Sequence, residues 1–297
     1  MIFKIFSLHP EIFESFLSTS LIARGISRDI INVEIINWRE KYGVGGYRQV
    51  DDRPFGGGSG MVLMLEPIVN ALRDYEAISS LVPSQTLAAE TKIFDRVLPP
   101  NVDFFDLFST GKVAPRVTIS LTPRGFPINQ EICEWLAGNF QQINLLCGRY
   151  EGFDSRISNF VDLELSLGSF VTNGGEVPSM ALVEAVSRLI PGFITKDTSV
   201  LHDSFSSELN TYLEQREFVI GKKNLAKNLG LDTSRTFLPK SNLFDNSWWA
   251  REILPHIEHP QFTRPEVASS LAVPPLLIEG NHKKIQAWRQ NWYKNQD

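Results

Sequence analysis

Cysteine is scarce in this chain. Only two occur among 297 residues, Cys133 and Cys147, and neither belongs to a CxxC pair. That argues against a zinc site and a disulfide framework, and it suits a reducing cytoplasm. Long apolar runs are missing as well. No stretch of eighteen or more apolar residues is present, which excludes a helical membrane span. The first residues, MIFKIFSLHPEIF, have no basic leader and no small-residue cleavage site, so they read as a first strand and not as a signal peptide. Positive charge is not in excess either. The formal net charge of −5 does not suit a generic nucleic-acid binder, whose footprint is basic. Local patches can override that total. Residues 216–240 hold six basic residues against two acidic ones, either as a solvated basic segment or as an RNA-facing one.

The composition that remains is that of an ordinary globular chain, 42% hydrophobic and 21% charged, long enough for one large domain or two smaller ones. Apolar runs ending in glycine loops recur. MIFKIFSL reads as a buried strand, and His9-Pro10-Glu11 opens a helix with Ile12, Phe13, Phe16, Leu17 and Leu21 at helical spacing. A second strand spans Ile30 to Trp38, so the order suggests a parallel unit with a crossover helix. The loop Asp51-Asp52-Arg53-Pro54-Phe55-Gly56-Gly57 combines charges, a ring and approachable backbone. It is neither a featureless linker nor a Walker loop, because no GK[ST] follows. A helix from about Leu65 to Tyr75 comes next, then an irregular connection over residues 76–115.

Three more strands end in loops. Val117 to Leu121 leads into Thr122-Pro123-Arg124-Gly125, and after a helix near Asn129 to Ala137, Ile143 to Leu146 leads into Cys147-Gly148-Arg149-Tyr150-Glu151-Gly152. A third run around Leu165 to Val171 carries Ser166-Leu167-Gly168-Ser169-Phe170-Val171-Thr172 and then Asn173-Gly174-Gly175-Glu176-Val177-Pro178. In open α/β sheets ligands bind at the carboxyl ends of strands, and glycines let backbone approach them. One pocket built from these loops is the expectation. A helical segment from Met180 to Leu189 follows, and a final helix from Asn281 to Lys294 interleaves bases with Trp288, Trp292 and Tyr293. That helix suits either RNA contact or docking with snorkelling lysines.

The motifs DDRPFGGGSGM, CGRYEG, SLGSFVTNGGEVP, SRLIPG, DSF and QFTRPEV occur in the order seen in bacterial tRNA (guanine-N1)-methyltransferases of the TrmD type, which this chain resembles over residues 1–205 and again from about His259 to Arg289. The resemblance implies a SPOUT methyltransferase fold: α/β, with a parallel sheet, a deep C-terminal trefoil knot and a short, truncated helical C-terminal segment. It implies a catalytic domain at 1–200, with the knotted cofactor site at about 118–192. A linker with a family-atypical basic insertion follows at 201–260, and then a short helical tRNA-binding domain at 261–297. The implied reaction is methylation of N1 of guanosine-37 in tRNA from S-adenosylmethionine, by a cytoplasmic homodimer whose active sites are shared between subunits.

Carried over residue by residue, the resemblance assigns Leu121, Thr122, Pro123, Gly148, Tyr150, Glu151, Ser166, Leu167, Gly168, Ser169, Phe170, Val171, Thr172, Gly174, Gly175 and Pro178 to the cofactor. It assigns Asp51, Arg53, Pro54, Phe55, Gly56, Gly57 and Arg149 to the substrate, with Asp203 as general base and Arg188 holding charge on guanine O6. Taken without its motif, Asp203 would read as a helix cap or a solvated charge. Magnesium also comes with the resemblance, although no ligand cluster in the sequence marks it. One departure stands out: Ser169 occupies a position where the family usually carries an acid. A non-catalytic RNA-binding relative, or a methyltransferase for another RNA position, are the competing readings.

Overall fold

In the computed structural model of the chain, residues 1–78, 114–194 and 259–291 are described. Asp203, the basic segment 216–240 and the residues from Trp292 onward lie outside the described residues. The centre is a five-stranded parallel sheet built from β1 (Ile2–Phe6), β2 (Asn32–Ile36), β5 (Ala114–Pro127), β6 (Phe140–Cys147) and β7 (Leu163–Ser166), in the order β2-β1-β6-β5-β7. The remaining short strands are β3 (Asp51–Asp52) paired with β4 (Val62–Leu63), and β8 (Val267–Ala268) paired with β9 (Leu271–Ala272), both antiparallel.

Helices cover both faces of the sheet. One face packs Phe3, Ile5, Ile143, Leu145 and Cys147 against α2 (Ser20–Ser27), α5 (Gln130–Asn139) and α6 (Glu176–Ser187). The opposite face packs Phe6 and Leu146 against α3 (Trp38–Tyr42), α4 (Leu65–Asp74) and a 3-10 turn over Ser155–Asn159. Residues alternate between the two layers along β1 and β6, and both layers are apolar. This is why the strands read as nearly continuous hydrophobic runs.

The first helical region differs from its expected form. Pro10–Phe13 is a 3-10 turn, α1 covers only Glu14–Leu17, and α2 begins afresh at Ser20. Thr19 is extended and Ser20 has a φ of 56°. The Ser18 and Thr19 hydroxyls both donate to the Ser15 carbonyl, giving the backbone an alternative to continuing the helix. The second strand is shorter than expected because Asn37 caps α3, accepting from the Arg39 N–H at 3.2 Å.

The most consequential difference lies in β5. The strand does not end at Leu121. It continues to Pro127, with Leu165 paired to both Leu121 and Phe126, so Thr122–Gly125 is extruded as a bulge from within the strand. Gly125 permits this because a Cβ there would lie 2.5 Å from the Leu165 backbone. The C-terminal segment forms β8 and β9, then α7 (Pro275–Ile278) and α8 (His282–Asn291), around a small cluster of Phe262, Val273, Leu277 and Ile285.

Candidate functional site

Three segments meet at the carboxyl ends of β5, β6 and β7: the bulge after Leu121, the loop 148–153 and the loop 167–175. Between them lies a cavity of about 580 Å³, within the size range of small-molecule pockets. The loop leaving edge strand β7 crosses back to the end of β6. There the Gly175 N–H donates to the Gly148 carbonyl at 2.9 Å, and Arg149 pairs with Gly174 as an isolated bridge. Gly175 has an ordinary helical backbone; what it supplies is space, since a Cβ would lie 2.6 Å from the Cys147 Cα. Tyr150 and Gly152 have φ of 60° and 93°, which folds loop 148–152 into a tight turn. Its Glu151 N–H donates to the Met61 carbonyl.

Two ion pairs line the walls. Arg149 Nε lies 3.1 Å from the carboxylate of Glu176, which is buried and also accepts from the Ser7 hydroxyl at 2.8 Å. Glu176 begins α6, so this contact ties the helix start to the end of β1 and to the pocket loop. On the opposite wall Arg124 bonds the Glu164 carboxylate at 3.2 Å and reaches Ser155 and Ser158. Beneath the pocket, burial and the nearby Glu176 charge push the Cys147 thiol well above its ordinary range, so it is held as a neutral thiol.

All sixteen residues expected at the cofactor line this one cavity, from Leu121 on the first wall through Tyr150 and Glu151 to Ser169 and Pro178. Arg149 joins them. The rest of the expected substrate loop, Asp51 and Arg53–Gly57, is not part of the lining. It packs instead against the C-terminal segment: the Phe55 N–H donates to the Phe262 carbonyl at 2.7 Å, and Phe55 borders the cluster around Leu277 and Ile285. Arg188 is also not part of the lining. It follows the last turn of α6, and at about 1.5 Å rise per residue it stands some ten residues along the helix from the pocket-lining Pro178.

The sequence reading missed several wall residues, notably Arg124, Ser155, His259 and Gln261. Arg124 sits in the strand-end loop Thr122-Pro123-Arg124-Gly125, where its charge is the available signal. His259 and Gln261 come from a segment far along the chain, and no local pattern announces them. They are delivered by a buried clamp. The fully buried Asp154 and Arg156 form an ion pair at 2.8 Å. Arg156 donates to the carbonyls of Thr263, Pro265, Glu266 and Leu271, and Asp154 accepts from the Thr263 N–H at 2.6 Å. Among the described residues no group of three His, Cys, Asp or Glu side chains is placed to hold a metal ion.

A parallel sheet covered on both faces, with one pocket at the carboxyl ends of adjacent strands, defines the α/β class of ligand-binding proteins. The family follows from the sequence as a whole. The family model described as tRNA (Guanine-1)-methyltransferase TrmD matches residues 1–91, 97–228 and 239–296, and the chain belongs to that family. A tRNA (guanine-N(1)-)-methyltransferase of Microcystis aeruginosa is 32% identical over 290 residues, covering 97% of this chain and 90% of that protein. One from Sorangium cellulosum is 34% identical, covering 96% and 86%. A crystal structure titled as tRNA (m1G37) methyltransferase from Aquifex aeolicus covers 99% of this chain and 89% of that one, at 24% identity and a TM-score of 0.49. Within the segment 201–260, only residues 229–238 fall outside the family match.

Proposed function

We propose that this protein transfers the methyl group of S-adenosylmethionine to N1 of guanosine-37 in tRNA, in the cytoplasm and as a homodimer. The observation that carries the reading is the single cavity lined by all sixteen residues expected at the cofactor. The residues fit such a ligand. Gly148 leaves space, with the nearest atoms to a notional Cβ in the Phe153 ring at 3.5 Å, so backbone amides and carbonyls of loops 121–123, 148–151 and 166–172 can read an adenine edge. When bound, the cofactor supplies an electrophilic methyl group.

The chain's own residues must then deal with the guanine N1 proton and the charge that develops on O6. In this reading Asp203 takes the proton. A carboxylate near its ordinary pKa of about 3.9 is a weak base for it, so desolvation of Asp203 and a guanidinium from Arg188 near O6 are both required. Arg188 and the loop 51–57 lie outside the cavity lining of one chain, which favours a site completed by a second copy. The return of the β7 loop across the end of β6 is compatible with a knotted path. Among the described residues no helix is long and apolar enough to cross a membrane.

The test is primer extension on tRNA treated with the protein and S-adenosylmethionine. A stop at the guanosine 3′ of the anticodon is expected, and a stop elsewhere would move the assignment to another RNA position. Failure to bind S-adenosylmethionine in calorimetry would remove the enzymatic reading. Asp203→Ala is expected to abolish the stop while leaving cofactor affinity within about twofold, since a base contributes to the chemical step and not to donor binding.

A further inference from the structure

The substrate loop is held in shape by the far end of the chain. Arg289, on α8, donates through Nη2 to the carbonyls of both Gly56 and Gly57. A Cβ on Gly56 would meet Leu277, Ile285 and Arg289 within 3.5 Å, so α7 and α8 rest directly on the loop backbone. Gly56 and Gly57 have φ of 79° and 73°, a conformation that turns their carbonyls toward one side at no steric cost. The other edge of the loop is held as firmly. Arg264 pairs with Asp52 at 3.0 Å and lies over the Phe55 ring, and Phe55 donates its N–H to Phe262. Between these anchors Arg53 is exposed and makes no ion pair among the described residues.

From this arrangement we infer that Arg289 is a positioning residue. Its guanidinium locks the loop so that Arg53 is presented in one geometry, and it couples the placement of α8 to that of Arg53. Both carbonyls converge on one terminal nitrogen, Nη2, which the long, planar guanidinium carries in a fixed orientation that a flexible lysine ammonium does not reproduce. The inference rests on the reading that the loop meets the tRNA. A charge on α8 that touched RNA itself would be spent on phosphate; here Arg289 is spent on backbone carbonyls of the same chain.

Two measurements test it. Hydrogen exchange of the Phe55 and Gly57 amides needs no tRNA, and both are hydrogen-bonded inside the loop region. Arg289→Gln is expected to speed their exchange at least tenfold, with α4 and the central sheet unchanged. Unchanged exchange would overturn the clamp. The second measurement is a double-mutant cycle on KM for tRNA. Arg289→Gln is expected to raise KM roughly tenfold, the scale of a lost charge-assisted hydrogen bond, with S-adenosylmethionine affinity unchanged. Arg53→Ala combined with Arg289→Gln should be no worse than Arg53→Ala alone. Losses that multiply would mean that Arg289 contacts RNA directly, which overturns the proposal. Arg289→Lys should behave like Arg289→Gln in both assays, and full retention would overturn the need for a guanidinium at this position. A wild-type protein that bound no tRNA would defeat the functional reading, while the exchange result would still decide the clamp.

Discussion

Two glycines of the pocket, Gly148 and Gly175, should both lose cofactor affinity on substitution by alanine but differ in stability. At Gly175 the backbone is already helical, with φ −78° and ψ −2°, so alanine suffers no torsional strain. Its methyl would nevertheless lie 2.6 Å from the Cys147 Cα and 3.1 Å from the Gly148 nitrogen. Carbon atoms rest at about 3.5–4.0 Å, so the crossing must open by about 1 Å, and both obstacles are backbone that cannot rotate aside. That displacement also breaks the Gly175 N–H bond to Gly148, worth about 1 kcal/mol. Overpacking adds about 1–3 kcal/mol. Against this, alanine recovers about 0.4–1 kcal/mol by restricting the unfolded chain. Gly175→Ala should therefore lose about 1–3 kcal/mol of stability and, with one pocket wall displaced, at least about tenfold in cofactor affinity, since 1.4 kcal/mol is already a factor of ten. At Gly148 a methyl meets Phe153 ring atoms at 3.5 and 3.6 Å and the Gly152 Cα at 3.8 Å, all ordinary contacts. Gly148→Ala should melt like the wild type or slightly higher, yet lose cofactor because the methyl fills ligand space. Thermal melts paired with titration of S-adenosylmethionine separate the two effects. A Gly175→Ala protein that melted with the wild type would refute the steric argument. A Gly148→Ala protein that bound S-adenosylmethionine normally would refute the placement of the ligand.

Two further outcomes are expected. Asp154→Ala leaves the fully buried Arg156 guanidinium without its carboxylate, which should cost about 3–5 kcal/mol; the urea midpoint reads this, and a shift too small to resolve would mean that the clamp on residues 263–271 is not what holds that segment. Burial lifts the Cys133 thiol to about 11 and pushes Cys147 up as well, so both should resist alkylation at pH 8 in the native protein and react once it is unfolded; rapid native labelling would contradict the packing of β6 and α5.

Much of the architecture was legible because its signals are local. The apolar runs of β1 and β6, the glycine loops and the Leu65–Asp74 helix follow from side-chain period and backbone freedom over a few residues. The α3 helix is legible in principle, since Asn37 is a favoured cap, but the apolar run before it reads through Asn37 as one strand. The break at Thr19 and Ser20 was not legible, because it depends on which way two hydroxyls turn.

The sequence by itself determined which loops could line one pocket and, through six ordered motifs, which family the chain belongs to. Only the tertiary structure decided how they meet. Sheet order brings the ends of β5, β6 and β7 side by side, the double pairing of Leu165 extrudes Thr122–Gly125, and the return of Gly175 to Gly148 closes the wall. It alone also decided that Arg156 and Arg289 spend their charge on backbone carbonyls a hundred residues or more away. Such carbonyls carry no side-chain identity, so no pattern of residue types can record which of them a guanidinium will find.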